Sequence, residues 1–305
     1  MANVTDYRLE DHLRMYWLRP ESAFWDAIAA RLIGNELLQQ DAILELGIGN
    51  GFFSFLMLGG KFKPEFDWFY SVNPEGFWKN EDVFDHDAGV DYSKFIDKMP
   101  DKRLRIGLDH KPNLLAQVQR LDFVDELVVH DGNEPIPLSG FDTIYSNIIY
   151  WLKDPLAVVR HFEQLLPSNG RCILVFPNSA FFKHCTSYTN GDPLWKLVNR
   201  GRAAHIMWHM DMDEFNSFVE KETAFRVVKS CRYLAPLTLK VWDIGVRPLS
   251  MVLTKMANKL TPEDRLEIKN EWCETTMLFM NPLLEQELEN GVKDGGYNFV
   301  VLEKK

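Results

Sequence analysis

The segment LELGIGNG (44–51) constrains this chain more than any other. A short apolar run, AILEL (42–46), leads into three glycines at every second position, and a second apolar run, FFSFLML (52–58), follows at once. An apolar run this short, ended by glycine, reads as a strand buried on both faces, the kind found in parallel sheets. Gly47 and Gly49 permit a tight turn and a close approach to the backbone, and Gly51 lets the next helix begin against the strand. The start of that helix presents N–H groups with no intrahelical partner. A strand–glycine turn–helix unit is therefore expected, and it suits a ligand as well as a plain turn.

The rest of the chain repeats the alternation. Residues 5–40 carry helical spacing, with Pro20 at the start of a second helix. RLRIGLD (103–109), ELVVHD (126–131), FDTIYSN (141–147) and RCILVFP (171–177) read as strands, with helices over 111–123 and 154–166 between them. Asp154 and Pro155 suit an N-cap and a first helical position. A helix over 213–221, a strand over 225–234, mainly helical 237–290 and a closing strand GYNFVVLEKK complete the pattern, while 178–212 has no clear period. Strands alternating with helices imply a parallel sheet with right-handed crossovers. The expected fold is α/β: a Rossmann-like, open, mostly parallel seven-stranded sheet with helices on both faces.

No linker divides the chain, so 1–305 is expected to be one domain. The core is 41–60, 101–235 and 295–305. To it are added a helical cap (1–40), an insertion (61–100) and a helical insertion (236–294). The first insertion carries ten aromatic residues, including Phe66, Trp68, Trp78 and Tyr92, too many for a disordered linker.

Two more acids fall at strand ends. Asp109 ends the second strand, where a carboxylate can accept both hydroxyls of a ribose or cap the next helix. Asp131, followed by Gly132, ends the third, where a carboxylate can accept an adenine amino group or simply form an Asp-Gly turn. With the glycine loop, all lie at the carboxyl ends of consecutive strands, where open α/β sheets bind ligands.

In the order and spacing of these motifs, residues 42–177 resemble class I S-adenosylmethionine-dependent methyltransferases. LELGIGNG resembles their first motif, GLD (107–109) the second, HDGNEPIPL (130–138) the third and FDTIYSNIIYWLKDP (141–155) the fourth. The resemblance implies S-adenosyl-L-methionine as cofactor. Gly47, Gly49 and Gly51 would pack on its methionine part, Glu45 would help place the amino group, Asp109 would take the ribose and Asp131 the adenine. Leu108, His110 and Gly132 would flank the adenosine, and Asn147 would face the methionine part or the reacting centre. The separation of Gly51 and Asp109 exceeds the roughly twenty residues of simple members. The assignment of Asp109 thus requires the insertion at 61–100 to loop out of the sheet. YLAPLTLKVWDIGVRPLS (233–250) also resembles a group of uncharacterised bacterial methyltransferases.

Methyl transfer needs alignment above all, and an acceptor that sheds a proton also needs a base. His205 and His209, four apart in HIMWH, are the favoured candidates, and at that spacing they could share a helix face. Ile206 stands where a HExxH zinc site has its glutamate, so no metal is expected. Tyr150 and Trp151 could wall the substrate site, since aromatic faces attract cations, or pack on the helix at 154–166. Tyr16, Trp17 and Arg19 could close the cofactor site or only dock their helix.

Lys and Arg number 34 against 44 Asp and Glu, a formal net charge of −10. An acidic chain has no general attraction for nucleic acid or anionic lipid, which points to a small-molecule acceptor. By the resemblance alone, that acceptor would be a sugar or polysaccharide precursor or a natural-product intermediate. Four scattered cysteines, no signal peptide and no long apolar run indicate a cytoplasmic protein without a membrane span. The helical insertion has apolar surface enough to roof the acceptor pocket or to make a homodimer. Two other readings stand beside the first: an NAD(P)-dependent oxidoreductase, which the early third glycine disfavours, and a non-catalytic cofactor-binding module.

Overall fold

The structure is a computed structural model, and it describes residues 9–70, 89–196, 199, 206–245, 249–289 and 292–305. The chain opens with α1 (Leu9–Met15) and α2 (Pro20–Leu37), then β1 (Ile43–Leu46) and α3 (Phe52–Met57). The first insertion gives β2 (Lys61–Phe62) and β3 (Ile96–Lys98). The core resumes with β4 (Leu104–Asp109), α4 (Pro112–Leu121), β5 (Val124–Val129), β6 (Thr143–Ser146), α5 (Pro155–Leu165) and β7 (Arg171–Pro177). Beyond it come α6 (Ser179–His184), α7 (Thr186–Thr189), α8 (Met212–Glu222), β8 (Phe225–Tyr233), α9 (Pro236–Ile244), α10 (Ser250–Ala257), α11 (Pro262–Glu289) and β9 (Tyr297–Lys304).

Seven strands form one sheet in the order β5-β4-β1-β6-β7-β9-β8. β1 pairs in parallel with β4 and β6, and β9 runs antiparallel to both of its neighbours. The Rossmann-like, mostly parallel sheet with helices on both faces is therefore present. One face is covered by α5 and α8, through Val159, Phe162, Phe215 and Val219. The other carries α1, α2, α3 and α4 together with much of the later helical segment. Strand alternation separates the two cores: Leu44 and Leu46 face the first, while Tyr145, Ile173 and Val301 face the second.

β2 and β3 pair only with each other, outside the main sheet. The insertion thus loops out, as the position of Asp109 requires. Its described aromatics join the core on the α3 side: Phe62 stacks on Phe66 with ring centroids 4.5 Å apart and on Phe55 of α3 at 4.9 Å. Phe77, Trp78 and Phe84 lie outside the described residues. Asp154 caps α5, accepting the Ala157 N–H at 3.0 Å, with Pro155 at the first helical position.

One expectation is corrected. The third strand ends at Val129, not at Asp131, because β5 pairs with β4 from Val124 opposite Leu104 to Val129 opposite Asp109. Residues 206–211 form no helix. Their backbone is drawn out along the sheet edge, where Met207 and Trp208 donate N–H bonds to the carbonyl of Tyr150 and Met210 donates one to Pro177. Among the described residues, no helix is long and apolar enough to cross a membrane.

Candidate functional site

The glycine loop closes over the carboxyl end of β1. Gly47 and Ile48 both donate N–H bonds to the carbonyl of Leu108, at 2.8 and 3.0 Å, tying the loop to β4. Gly47 has φ +87°, and a Cβ there would lie 2.2 Å from Ile148. Gly51, at φ +80°, is the N-cap of α3, and a Cβ there would meet Val118, Leu121 and Phe123. A side chain at either position would strain the backbone and displace a neighbour. Gly49 differs: nothing lies within 4 Å of where its Cβ would be. The tip of the loop therefore opens onto free space, where a ligand can touch backbone.

Asp109 is buried beside this tip. Its Oδ2 accepts the Gly49 N–H at 3.0 Å and its Oδ1 accepts the Lys111 N–H at 2.9 Å. A carboxylate has about four acceptor sites, so two bonds leave capacity for ribose hydroxyls. His110 is exposed, its Nδ1 3.5 Å from Asp109 Oδ1. The Leu108 side chain points into the core on the opposite face, with Leu46 and Ile144. Leu108 thus serves the loop through its carbonyl and does not flank it with its side chain.

Asp131 lies two residues beyond β5 and is exposed. Its Oδ1 accepts the Asn133 backbone N–H at 2.9 Å and the Asn133 side-chain amide at 2.7 Å, and these bonds hold the carboxyl below its usual pKa. It forms a local turn. A Cβ on Gly132 would meet Leu152 at 3.0 Å and Leu46 at 3.5 Å, so that turn sits directly on the end of β1.

The other side of the loop is unlike this one. Glu45 is 1% exposed, and Ser54 of α3 donates to its Oε1 at 2.7 Å. Its Oε2 is buried with no hydrogen-bond partner. Burial, opposed by the Ser54 bond and reinforced by the Asp109 charge, pushes the Glu45 carboxyl up to about 8. One strand away, Asn147 keeps a buried Oδ1 without a partner. So does the hydroxyl of Tyr145, which sits opposite Glu45 in the β1–β6 register. Burial raises the Tyr145 hydroxyl well above its ordinary pKa, and Glu45 adds to the rise. An unmade bond on a buried polar atom costs about 1–3 kcal/mol. Three such atoms lie at the carboxyl end of β1 and β6, where hydrogen-bond partners would recover that cost.

Tyr150 and Trp151 occupy a 3-10 turn, Ile149–Trp151. Tyr150 is half-buried, with its ring edge-on to Tyr297 at 5.9 Å, while Trp151 is exposed. Tyr16 and Trp17 are buried; Trp17 donates its indole N–H to Asp67 at 3.1 Å, which docks α1 on the first insertion. Arg19 donates to Glu21 at 3.1 Å. His205 lies outside the described residues. His209 is exposed, packs on the Phe182 ring at 4.8 Å and lies on no helix.

Asp26 of α2 escaped the sequence reading. It is half-buried, and its charge acts on Tyr16, Tyr145 and Tyr233. The signal was available: in SAFWDAIAARLI it is the one acid within an apolar run. A cavity of about 240 Å³ lies elsewhere, between the first insertion and α11. Among its charged groups, Arg265 bonds Asp67 and Asn258 but keeps its Nη2 buried without a partner, Lys269 bonds the carbonyls of Pro64 and Phe66, and Glu65 is exposed. Among the described residues no cluster of side chains could hold a metal ion.

No protein-family model matches the chain, and no curated protein matches it in sequence. Solved structures do show a distant likeness. The putative methyltransferase in complex with the Haloferax volcanii Trm112 activator is 12% identical, with 97% of each chain covered and a TM-score of 0.47. A SAM-dependent methyltransferase from Thiobacillus denitrificans, in complex with S-adenosyl-L-homocysteine, is 12% identical over 90% of each chain, TM-score 0.46. A SAM-dependent methyltransferase from Thermotoga maritima is 13% identical over 98% of this chain and 100% of its own, TM-score 0.45.

Proposed function

We propose that this chain transfers a methyl group from S-adenosyl-L-methionine to a small-molecule acceptor. The observation that carries the reading is the loop's asymmetry. An open backbone at Gly49 lies near a hydrogen-bonded carboxylate, Asp109, and two buried oxygens without partners, Glu45 Oε2 and Asn147 Oδ1. A ligand with a diol at one end and an ammonium at the other matches that order. Glu45 and Asn147 would hold the methionine end, and Asp109 the ribose. Asp131, Gly132 and His110 would border the adenine. Bound there, the cofactor supplies an activated methyl on a sulfonium, a leaving group that needs no further activation. The chain's task is then to align the acceptor and exclude water.

The acidic charge disfavours a nucleic-acid acceptor, and the rings of Trp151 and Tyr297 beside Tyr150 suit a small one such as a saccharide precursor or natural-product intermediate. Four free cysteines suit the cytoplasm. Leu278 and Phe279 of α11, with Val252 and Met256 of α10, are exposed and offer a surface for self-association. An oxidoreductase reading fares worse. Phe52 replaces the last glycine of a dinucleotide loop, and the antiparallel β9 interrupts an order that is parallel in dinucleotide folds.

Calorimetric titration with S-adenosylhomocysteine tests the reading. Binding is expected in the wild type, weakened about ten- to a hundredfold by Asp109→Ala, the loss of hydrogen bonds to a charged group. No binding by the folded wild type would overturn it.

A further inference from the structure

The cavity of about 240 Å³ lies where the three additions to the core meet. The first insertion walls it with Phe66, Trp68, Val90, Tyr92 and Phe95, and α11 closes it with Pro262, Arg265, Leu266 and Lys269. Those four positions of α11 are spaced i, i+3, i+4 and i+7, which is one helix face. The N-terminal cap reaches the cavity through Trp17, whose indole donates at 3.1 Å to Asp67, a lining residue. Among the described residues, none of those proposed to hold the cofactor lines it.

Two cations, Arg265 and Lys269, are buried in this wall, at 2% and 1% exposure, and one largely buried carboxylate, Asp67, lies beside them. Asp67 accepts the Arg265 Nε–H at 2.6 Å, along with the Trp17 indole and the Phe69 N–H. Arg265 Nη1 donates to Asn258 at 2.7 Å. Its Nη2 carries two N–H groups and is buried without a partner. The guanidinium also sits over the rings of Tyr70 and Trp17, 5.3 and 5.5 Å from their centroids, so its orientation is fixed. Lys269 spends two of its three donors on the carbonyls of Pro64 and Phe66, which leaves one and brings no negative charge. Burial pushes its ammonium down to about 8 against the pull of Asp67. Glu65 is turned to solvent. An orphaned guanidinium nitrogen beside a second cation calls for an anion. The rest of the wall is mostly aromatic and aliphatic, where water would find too few polar partners.

We propose that this cavity binds a small organic carboxylate, one ring or a short branched chain bearing a single acid group, with the carboxylate on Arg265 and Lys269 and the apolar part among Phe66, Trp68, Phe95 and Leu266. The site is separate from the glycine loop and does not depend on the methyl-transfer reading. Its size fits: an apolar cavity of about 150 Å³ is enough for benzene, so this one admits a ring and its acid group. The carboxylate gives Arg265 Nη2 a charge-assisted bond, roughly twice as strong as a neutral one. The apolar part covers walls that a bare inorganic anion would leave unfilled. A ligand held by α11 on one side and the first insertion on the other also ties these two additions together.

Benzoate is the probe, with benzamide as its neutral counterpart and inorganic phosphate as an anion without an apolar part. Each is titrated into the full chain, followed by tryptophan fluorescence and calorimetry. Saturable binding of benzoate is expected, about tenfold or more tighter than benzamide, the gain of a hydrogen bond to a charged group, and tighter than phosphate. Benzoate should also raise the melting temperature, since it binds only the folded chain. Arg265→Met should remove the preference for benzoate over benzamide. That change leaves Asp67 without its cation and costs stability, so Leu266→Trp is the second variant. It keeps both cations and Asp67, fills the space, and should abolish benzoate binding with the circular dichroism unchanged. The inference is overturned by the absence of saturable benzoate binding, by equal binding of benzamide or phosphate, by a preference that survives Arg265→Met, or by benzoate binding that persists in Leu266→Trp.

Discussion

The two sides of the glycine loop are built on opposite principles. Toward β4 and β5, each carboxylate is held by backbone: Asp109 by Gly49 and Lys111, Asp131 by Asn133. Toward β6 and α2, the polar atoms are buried and left without partners: Glu45 Oε2, Tyr145 and Asn147 Oδ1. The first side is finished before any ligand arrives and can act as a rigid template. The second carries a standing cost, since each unmade bond destabilises the free protein. A binding partner that supplies hydrogen-bond donors would recover that cost. A site so divided gains selectivity on its unfinished side, because a ligand lacking the donors leaves the penalty in place.

The sharpest way to break this contrast is to destroy the hinge between the two sides. Gly47→Ala forces a left-handed backbone on a side chain and drives its Cβ into Ile148. It should cost about 2–4 kcal/mol of stability and abolish S-adenosylhomocysteine binding, as read by thermal melting and calorimetry. Next comes Asp109→Ala, which should weaken binding about ten- to a hundredfold while leaving the fold intact by circular dichroism.

Glu45→Gln separates the sides by sign. The folded carboxyl titrates near 8, well above its unfolded value. Between the two, the unfolded state holds fewer protons than the folded one, so stability falls as pH rises through that window. Asp26, raised to about 7, acts in the same direction. Glu45→Gln should flatten the fall in denaturation midpoint between pH 5 and 8 while weakening S-adenosylhomocysteine about tenfold. In the wild type, binding near pH 7 should release a proton, seen as a buffer-dependent heat, and the variant should lose that release. An unchanged pH profile would mean that Glu45 is not desolvated. The smallest effect belongs to Asp131→Ala: its bonds are local and exposed, so affinity should change only a few-fold. A larger loss would show that the adenine side depends on more than a turn.

Much of this was legible in the sequence, for a physical reason. Strand–helix alternation and the glycine spacing are local, and so were the elements they predicted, from Ile43–Leu46 to Asp154 at its cap. Where partner geometry set the outcome, the sequence was silent. The third strand stopped at Val129 because β4 ends opposite it, and His209 sits on extended chain because Tyr150 and Pro177 capture its neighbours' N–H groups. Asp26 showed the converse. Its charge within an apolar run was visible, but its meaning depended on Tyr145 and Tyr233, which come near it only when β6 and β8 are in place.

The position of β9 has a consequence for the order of assembly. β7 and β8 are joined only through β9, and β9 follows β8 after the whole of residues 234–296. Until that stretch has been synthesised, β7 and β8 each present a bare edge, the kind of surface that invites pairing with another chain. Tyr233 and Tyr297, opposite one another in the register, meet only when β9 slides into the gap. The ring cluster that holds them is therefore among the last parts of the molecule to exist, so slow translation or a weakened helical segment would be felt as misassembly before it was felt as lost chemistry.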